Sequence, residues 1–339
     1  MCEDISREEF IKENTNKIIC EDAIKILRKI PDESINCCIT SPPYYGLRDY
    51  HNEKQIGRES IVEEYLDRLK QVFHEVKRTL KKDGTCFIVI GDSYAGSGKK
   101  GKYIDPKYPK GRNGQNNSIT QNVSGYKSKD LMGIPWRLAL LLREDGWYLR
   151  SDIIWHKENA MPESCKDRPT RSYEHVFLLT KSAKYYYDYY AMVEPMKDVS
   201  KERYMRGRKS NNKYLKENSG ASVQKINKAR EYGEYKGDNI PQFRNKRDIW
   251  TINTASYRGE HYATFPPKLV EICMIAGCPK GGIVIDPFIG SGTVGFVALM
   301  LDRKYIGIEL NERYCNLARE RIETEVKSLN EKKNEIQKE

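Results

Sequence analysis

Two short apolar runs, residues 34–40 and 283–285, each end in a turn that regular strand geometry cannot continue. The first enters Ser41-Pro42-Pro43-Tyr44, whose two prolines lack backbone N–H donors and so exclude it from a central ladder. The second enters Asp286-Pro287-Phe288-Ile289-Gly290-Ser291-Gly292-Thr293, whose glycines permit a tight turn and close approach of a ligand to the backbone. Strands that stop this way put their turns at the carboxyl edge of a sheet, where open parallel sheets hold ligands.

The rest of the chain alternates helical and strand periods around these turns. Strands are expected at residues 18–20, 34–40, 85–90 (ending at Gly91-Asp92), 151–155, 175–180, 283–285 and 305–309. Helices are expected from Asp22 toward Pro31, then at 61–80, 131–144, 266–276 and 292–301, and from Asn311 onward. Such alternation favours an α/β fold with a predominantly parallel sheet and helices on both faces. A length of 339 residues suits one large catalytic domain with an embedded smaller lobe.

The formal charge of +11 is local in origin. Residues 197–247 hold 15 Lys/Arg against 6 Asp/Glu, a surplus of 9, and residues 99–129 hold 8 against 1, a surplus of 7. Without these 16 charges the remainder stands at about −5. Both stretches are rich in Gly, Asn, Ser and Tyr and are expected to be loops or a small lobe facing a polyanion. In the second, Tyr204, Tyr214, Tyr232 and Tyr235 alternate with the charges, as aromatics that pack on sugars or bases would. The nine cysteines lack zinc or redox spacing and are expected to be reduced, mostly buried thiols, with no metal bound. No apolar run reaches spanning length and the N-terminus has no signal-peptide pattern, so no membrane association is expected and the chain should reside in the cytoplasm or nucleoid.

Each turn implies a chemistry. After residues 283–285, Gly290 and Gly292 follow the bulky Phe288, and no Lys completes a phosphate loop, which points to a nucleoside ligand without a phosphate chain. Glu309 ends the next strand, where a carboxylate can accept both hydroxyls of a ribose. S-adenosylmethionine meets these requirements. At the other turn, Ser41 and the Pro42 carbonyl can accept the two hydrogens of an exocyclic amino group, freeing a nitrogen lone pair otherwise delocalised into an aromatic ring. Tyr44 can stack on a base drawn out of a duplex, and Arg48 stands beside these aromatics.

With these motifs in this order, the chain resembles the beta-class DNA amino-methyltransferases of restriction-modification systems and their solitary or phage-borne relatives, over roughly residues 18–318. The resemblance implies a circularly permuted Rossmann-like fold with an inserted target-recognition lobe, S-adenosylmethionine as cofactor and double-stranded DNA as substrate. It also implies base flipping with direct transfer, a cognate restriction endonuclease and a homodimer as possible partners. Its catalytic tetrapeptide falls on Ser41, Pro42, Pro43 and Tyr44, and serine in first position is similar to the N4-cytosine subgroup, whereas the N6-adenine subgroup usually has aspartate. Its cofactor positions fall on Asp22, Thr264, Phe265, Asp286, Pro287, Phe288, Gly290, Gly292, Thr293, Glu309 and Asn311. Lys157, Arg168 and Arg171 match the second wall of the site, and with Arg48, Arg206, Arg208 and Lys209 are the expected DNA contacts.

The expected organisation is a catalytic part at 1–193 with a basic insertion at about 93–130, a target-recognition insertion at 194–249, a cofactor part at 250–318 and a charged helical tail at 319–339. Two alternatives compete with N4-cytosine methylation. An N6-adenine methyltransferase shares its fold and cofactor, and a non-enzymatic nucleic-acid-binding protein explains the charge but not the paired turns.

Overall fold

The computed structural model describes residues 7–47, 52, 54–96, 123–163, 165–205, 241–254 and 265–336. Arg48, Thr264, Arg206, Arg208 and Lys209 lie outside the described residues, as do Tyr214, Tyr232 and Tyr235.

In chain order, α1 (Arg7–Asn14) precedes β1 (Lys17–Cys20), α2 (Ala23–Leu27), β2 (Ile35–Thr40), α3 (Val62–Thr79), β3 (Leu80–Ile90), α4 (Ile134–Glu144), β4 (Tyr148–His156) and β5 (Tyr173–Thr180). After these come β6 (Val193–Pro195), α5 (Asp198–Met205), β7 (Phe243–Asn245) and β8 (Ile249–Thr251). The chain then forms α6 (Pro267–Gly277), β9 (Ile283–Asp286), α7 (Thr293–Met300), β10 (Lys304–Glu309) and α8 (Glu312–Ile336).

Eight strands make one sheet in the order β1-β10-β9-β2-β3-β5-β4-β8. From β1 to β3 all neighbours are parallel, β5 is antiparallel to both β3 and β4, and β8 is parallel to β4. The expected mostly parallel, permuted sheet is present, with β5 alone reversed among its described strands. Pairing of β9 with β2 sets Cys38 opposite Ile285, so the two turns that follow these strands emerge side by side.

Alternation along the strands divides the core between two faces. Cys38, Ile88, Ile285 and Ile306 join the buried cluster formed with α2, α3 and α4. In α3, Val62, Tyr65, Leu66, Leu69, Val72, Phe73 and Val76 recur at helical spacing and are all buried. On the opposite face, Thr85 and Phe87 of β3 meet α6 at Gly277.

Helix α4 begins at Ile134 rather than at 131 because the carboxylate of Asp92, just past β3, accepts the N–H groups of Gly133 (2.9 Å) and Ile134 (3.1 Å). Gly133 has φ of 68°, which closes the way to an earlier start. The residues before it pair instead with the chain leaving β3: Tyr94 bridges Leu131, Ala95 N donates to Asp130 O (2.9 Å) and Lys129 N to Ala95 O (2.8 Å). These bonds close the base of the basic insertion.

The chain divides into two compact units, Tyr189–Arg247 and the remainder. Within the smaller unit, β6 and β7 pair antiparallel, and Glu194 engages both Arg244 (3.4 Å) and Lys246 (3.1 Å). Asp248 and the strand β8 that follows belong to the larger unit, where β8 extends the main sheet. Among the described residues no helix is long and apolar enough to cross a membrane.

A Cβ at Gly277 would stand 2.4 Å from Thr85 Oγ1 and 2.6 Å from Phe87 Cε2, both fixed on a buried strand. Gly277→Ala should therefore cost about 1–3 kcal/mol of stability, measured as a lowered urea midpoint with unchanged slope.

Candidate active site

The larger unit contains a cavity of about 870 Å³ at the carboxyl edge of the parallel strands. Its wall includes all four residues of the first turn, Ser41, Pro42, Pro43 and Tyr44. It also includes Asp22, Phe265, Pro287, Phe288, Gly290, Thr293, Glu309 and Asn311 from the expected cofactor set. Asp286 and Gly292 do not line it; they build the turn from behind.

Proline geometry makes β2 stop at Thr40, and neighbouring groups then hold the turn in place. Tyr65 of α3 donates to the Pro43 carbonyl (2.8 Å), while among the described residues no donor reaches that of Pro42. Gly57, at φ of 100°, lies against the Tyr44 carbonyl, where a Cβ would approach to 3.1 Å. Arg68 fixes this second loop by donating to the carbonyls of Lys54 (2.6 Å) and Gln55 (2.8 Å) and pairing with Glu59 (2.7 Å). Cys37 and Cys38, three and two residues before Thr40 on β2, are fully buried, and burial pushes both thiols well up, in keeping with core residues.

At the second turn, the Glu309 carboxylate accepts Gly290 N–H at one oxygen (3.1 Å) and Asn311 N–H at the other (2.9 Å). Burial raises its pKa, and these N–H groups oppose the rise. Each oxygen keeps acceptor capacity toward the cavity. The Asp22 side chain caps α2 through Lys25 N (3.0 Å), and that of Asn311 accepts Arg313 N (3.0 Å) at the start of α8. Gly292, at φ of 82°, fits under α8, where a Cβ would meet Ile322 and the Ala318 carbonyl at 3.0 and 3.1 Å. Arg321 of α8 donates to Ser291 Oγ (2.8 Å) and Thr293 Oγ1 (3.0 Å), so the Thr293 hydroxyl serves as a strut of the turn.

The remaining wall comes from β3, β4 and β5. Lys157 pairs with Glu174 (2.5 Å) and sits 4.2 Å over the Trp155 ring. Trp155 is both core and cavity wall: it is buried, lines the cavity and donates from Nε1 to Ile252 O (2.7 Å). Arg168 lies 4.0 Å and Arg171 5.3 Å from the centre of the Tyr94 ring, and both pair with Glu163 (2.5 and 3.4 Å). Arg171 also donates to the Asp92 carbonyl. Of the expected DNA contacts, Lys157, Arg168 and Arg171 thus meet at this cavity.

Sequence reasoning missed Glu21, Tyr94, Glu163 and Arg321. Thr40 and Glu174 fell within the segments read as the proline turn and as the second wall of the site, but without a role of their own. Thr40 Oγ1 donates to Asp286 Oδ1 (2.6 Å), and Phe288 N donates to the same oxygen (3.0 Å), which ties the two turns together.

Asp286 is fully buried, and burial pushes its carboxyl up to about 7, opposed by the bonds from Thr40 and Phe288 and assisted by the charge of Glu309. The ordinary aspartate value is about 3.9, so between about pH 4 and 7 the folded protein holds a proton that the unfolded chain has released. Stability contributed by this proton is complete below that window and is lost as the pH rises through it. The urea midpoint of Asp286→Asn relative to wild type should therefore shift in the variant's favour from about pH 4.5 to about 7.5. A constant difference would mean that Asp286 ionises as an ordinary carboxylate.

The sequence profile of the family described as DNA methylase matches residues 35–320. The chain is 42% identical over 324 residues to the type II methyltransferase M.Cfr9I of Citrobacter freundii, covering 95% of this chain and 93% of that protein. It is 43% identical over 317 residues to the type II methyltransferase M.SmaI of Serratia marcescens, covering 93% and 94%. Among solved structures, the cytosine-N4-specific PvuII DNA methyltransferase superposes with a TM-score of 0.56 at 19% identity, covering 89% of this chain and 84% of that one. A DNA modification methylase of Thermus thermophilus, complexed with S-adenosyl-L-methionine, gives 0.54 at 22% identity, covering 91% and 94%. A sheet that sets the serine-proline turn beside the glycine turn, and a sequence matched along most of its length, lead to one conclusion: the chain belongs to the DNA methylase family.

Proposed function

We propose that this DNA methylase transfers a methyl group from S-adenosyl-L-methionine to the N4 amino group of cytosine within a specific duplex sequence. The observation that carries the reading is the Thr40–Asp286 hydrogen bond, which holds an amino-acceptor turn and a nucleoside-type turn at one cavity.

The residues present fit the cofactor. Glu309 offers two fixed carboxylate oxygens suited to ribose hydroxyls, Phe265 and Phe288 offer aromatic surface, and the acids Glu21, Asp22 and Glu309 suit a cation. When bound, this group supplies an electrophilic methyl on a sulfonium.

The chain's part is to orient the amino nitrogen. Tyr65 already donates to the Pro43 carbonyl, whereas that of Pro42 carries no donor among the described residues, so the Pro42 carbonyl and Ser41 Oγ are the acceptors assigned to the substrate. Two acceptors on the two N4 hydrogens draw the lone pair out of conjugation and aim it along the free direction. As N4 gained the methyl and became cationic, the hydrogen held at Ser41 Oγ would be the one lost, passing to solvent, with the hydroxyl orienting that proton without keeping it. Tyr44 receives the flipped ring, since a base inside a duplex is out of reach. Serine at the head of the turn favours cytosine over adenine.

Arg168 and Arg171, stacked on Tyr94, supply a cationic edge for a phosphate near the cavity. Reading of the recognition sequence is assigned to the unit Tyr189–Arg247, which contains residues 197–247 and their whole surplus of 9 positive charges. A cognate restriction endonuclease would be the enzyme whose sites this modification protects.

Incubation of mixed-sequence duplex DNA with labelled S-adenosyl-L-methionine, followed by nucleoside mass spectrometry, should yield N4-methylcytosine. N6-methyladenine would overturn the base assignment, and no transfer would overturn the reaction. Ser41→Ala should slow single-turnover transfer on the order of 10²-fold with cofactor affinity retained. Glu309→Gln should instead weaken cofactor binding by about 10- to 100-fold in calorimetry, as loss of charge-assisted hydrogen bonds predicts.

A further inference from the structure

We propose that Glu174 is a positioning residue that fixes Tyr44 and Lys157 as two sides of the base pocket. The inference rests on the methyl-transfer reading above and extends it to a residue outside both turns.

Glu174 uses its two carboxylate oxygens for two different cavity residues. Tyr44 Oη donates to Oε2 (2.6 Å), and Lys157 Nζ donates to Oε1 (2.5 Å). A tyrosine ring attached at only one end can swing; one bonded through its hydroxyl as well is held in plane, so a flipped base meets a platform already in place. Burial and the nearby Glu174 carboxylate push the Tyr44 hydroxyl well up, which keeps it a hydrogen donor. The lysine is held from two directions, by the carboxylate and by the Trp155 face 4.2 Å away.

The backbone leaves room for this arrangement. A Cβ on Gly91, immediately after β3, would lie 3.0 Å from Tyr44 Cε2 and 3.2 Å from Glu174 Cγ, so the tyrosine and the glutamate pack against the bare side of that residue. The reversed direction of β5 brings Glu174 there. Its register sets Glu174 opposite Trp155, at the edge where β2, β3 and β4 end. Were Glu174 only a tie across the sheet edge, its partners would not both be cavity residues.

The test compares wild type with Glu174→Ala, Glu174→Gln, Tyr44→Phe and the Tyr44→Phe/Glu174→Gln double variant on a duplex carrying the mapped site. Four quantities are read: the single-turnover transfer rate, fluorescence of 2-aminopurine at the target position, cofactor affinity by calorimetry, and the urea midpoint. Glu174→Ala should slow transfer by about 10- to 100-fold and diminish the extrusion signal, with cofactor affinity and urea midpoint unchanged. Glu174→Gln should fall between, because its amide oxygen still accepts from Tyr44 while its charge toward Lys157 is gone. Tyr44→Phe and Glu174→Gln should be non-additive. The proposal is overturned if Glu174→Ala matches wild type in rate and extrusion, if rate, cofactor affinity and midpoint fall together, or if the two single changes add. Should wild type methylate adenine, or transfer no methyl, the reaction assigned above fails, while the extrusion signal of Glu174→Ala against wild type still decides the role of Glu174.

Discussion

A hydroxyl and a carboxyl 246 residues apart in sequence hold this molecule's chemistry in register. Thr40 closes β2 and Asp286 closes β9, and their bond makes the proline turn and the glycine turn a single rigid edge. Asp286 also accepts from Phe288, so its one oxygen organises the start of the second turn while anchoring the first. Burial makes such a bond strong and its loss costly, because an abandoned carboxyl in this position has no water to turn to. Around it the sheet supplies rigidity: parallel neighbours on both sides fix the direction in which each turn leaves.

The electrostatics of the cavity divide along the same edge. Glu21, Asp22 and Glu309 gather where β1 and β10 end, whereas Lys157, Arg168 and Arg171 gather beyond β3 and β4. In the reaction proposed above, a cationic cofactor and a polyanionic substrate would thus find opposite charges at different parts of the cavity. The basic wall is not left bare. Glu163 pairs with both arginines and Glu174 with the lysine, which holds flexible cations in defined geometry before any ligand arrives.

Much of this was legible in the sequence. Period and turn chemistry identified most strands of the large sheet, and proline and glycine marked both turns at their edges. What escaped was long-range. Glu174 fell within the segment that resembles the second wall, but its two partners did not follow from that, since its place depends on β5 running antiparallel, which an apolar run of residues 175–180 does not reveal. Arg321 sits on a charged helix, and only the packing of α8 on Gly292 turns it toward Ser291 and Thr293. The short strand β8 was hidden beside the basic segment because three residues carry no readable period. The start of α4 was misplaced because its capping carboxylate, Asp92, comes from another element.

The pairing of β1 with β10 carries a consequence for how the molecule comes into being. Among the described strands β1 has no neighbour but β10, so a strand made early waits for one made late. Loop-closure entropy must be met across nearly the whole chain before that pair forms, which favours slow, late completion of the sheet. During synthesis from the N-terminus, the proline turn therefore exists as sequence long before Glu309 and the glycine turn can stand beside it. The cavity is therefore complete only once β10 has joined β1 and β9, after both turns have been made.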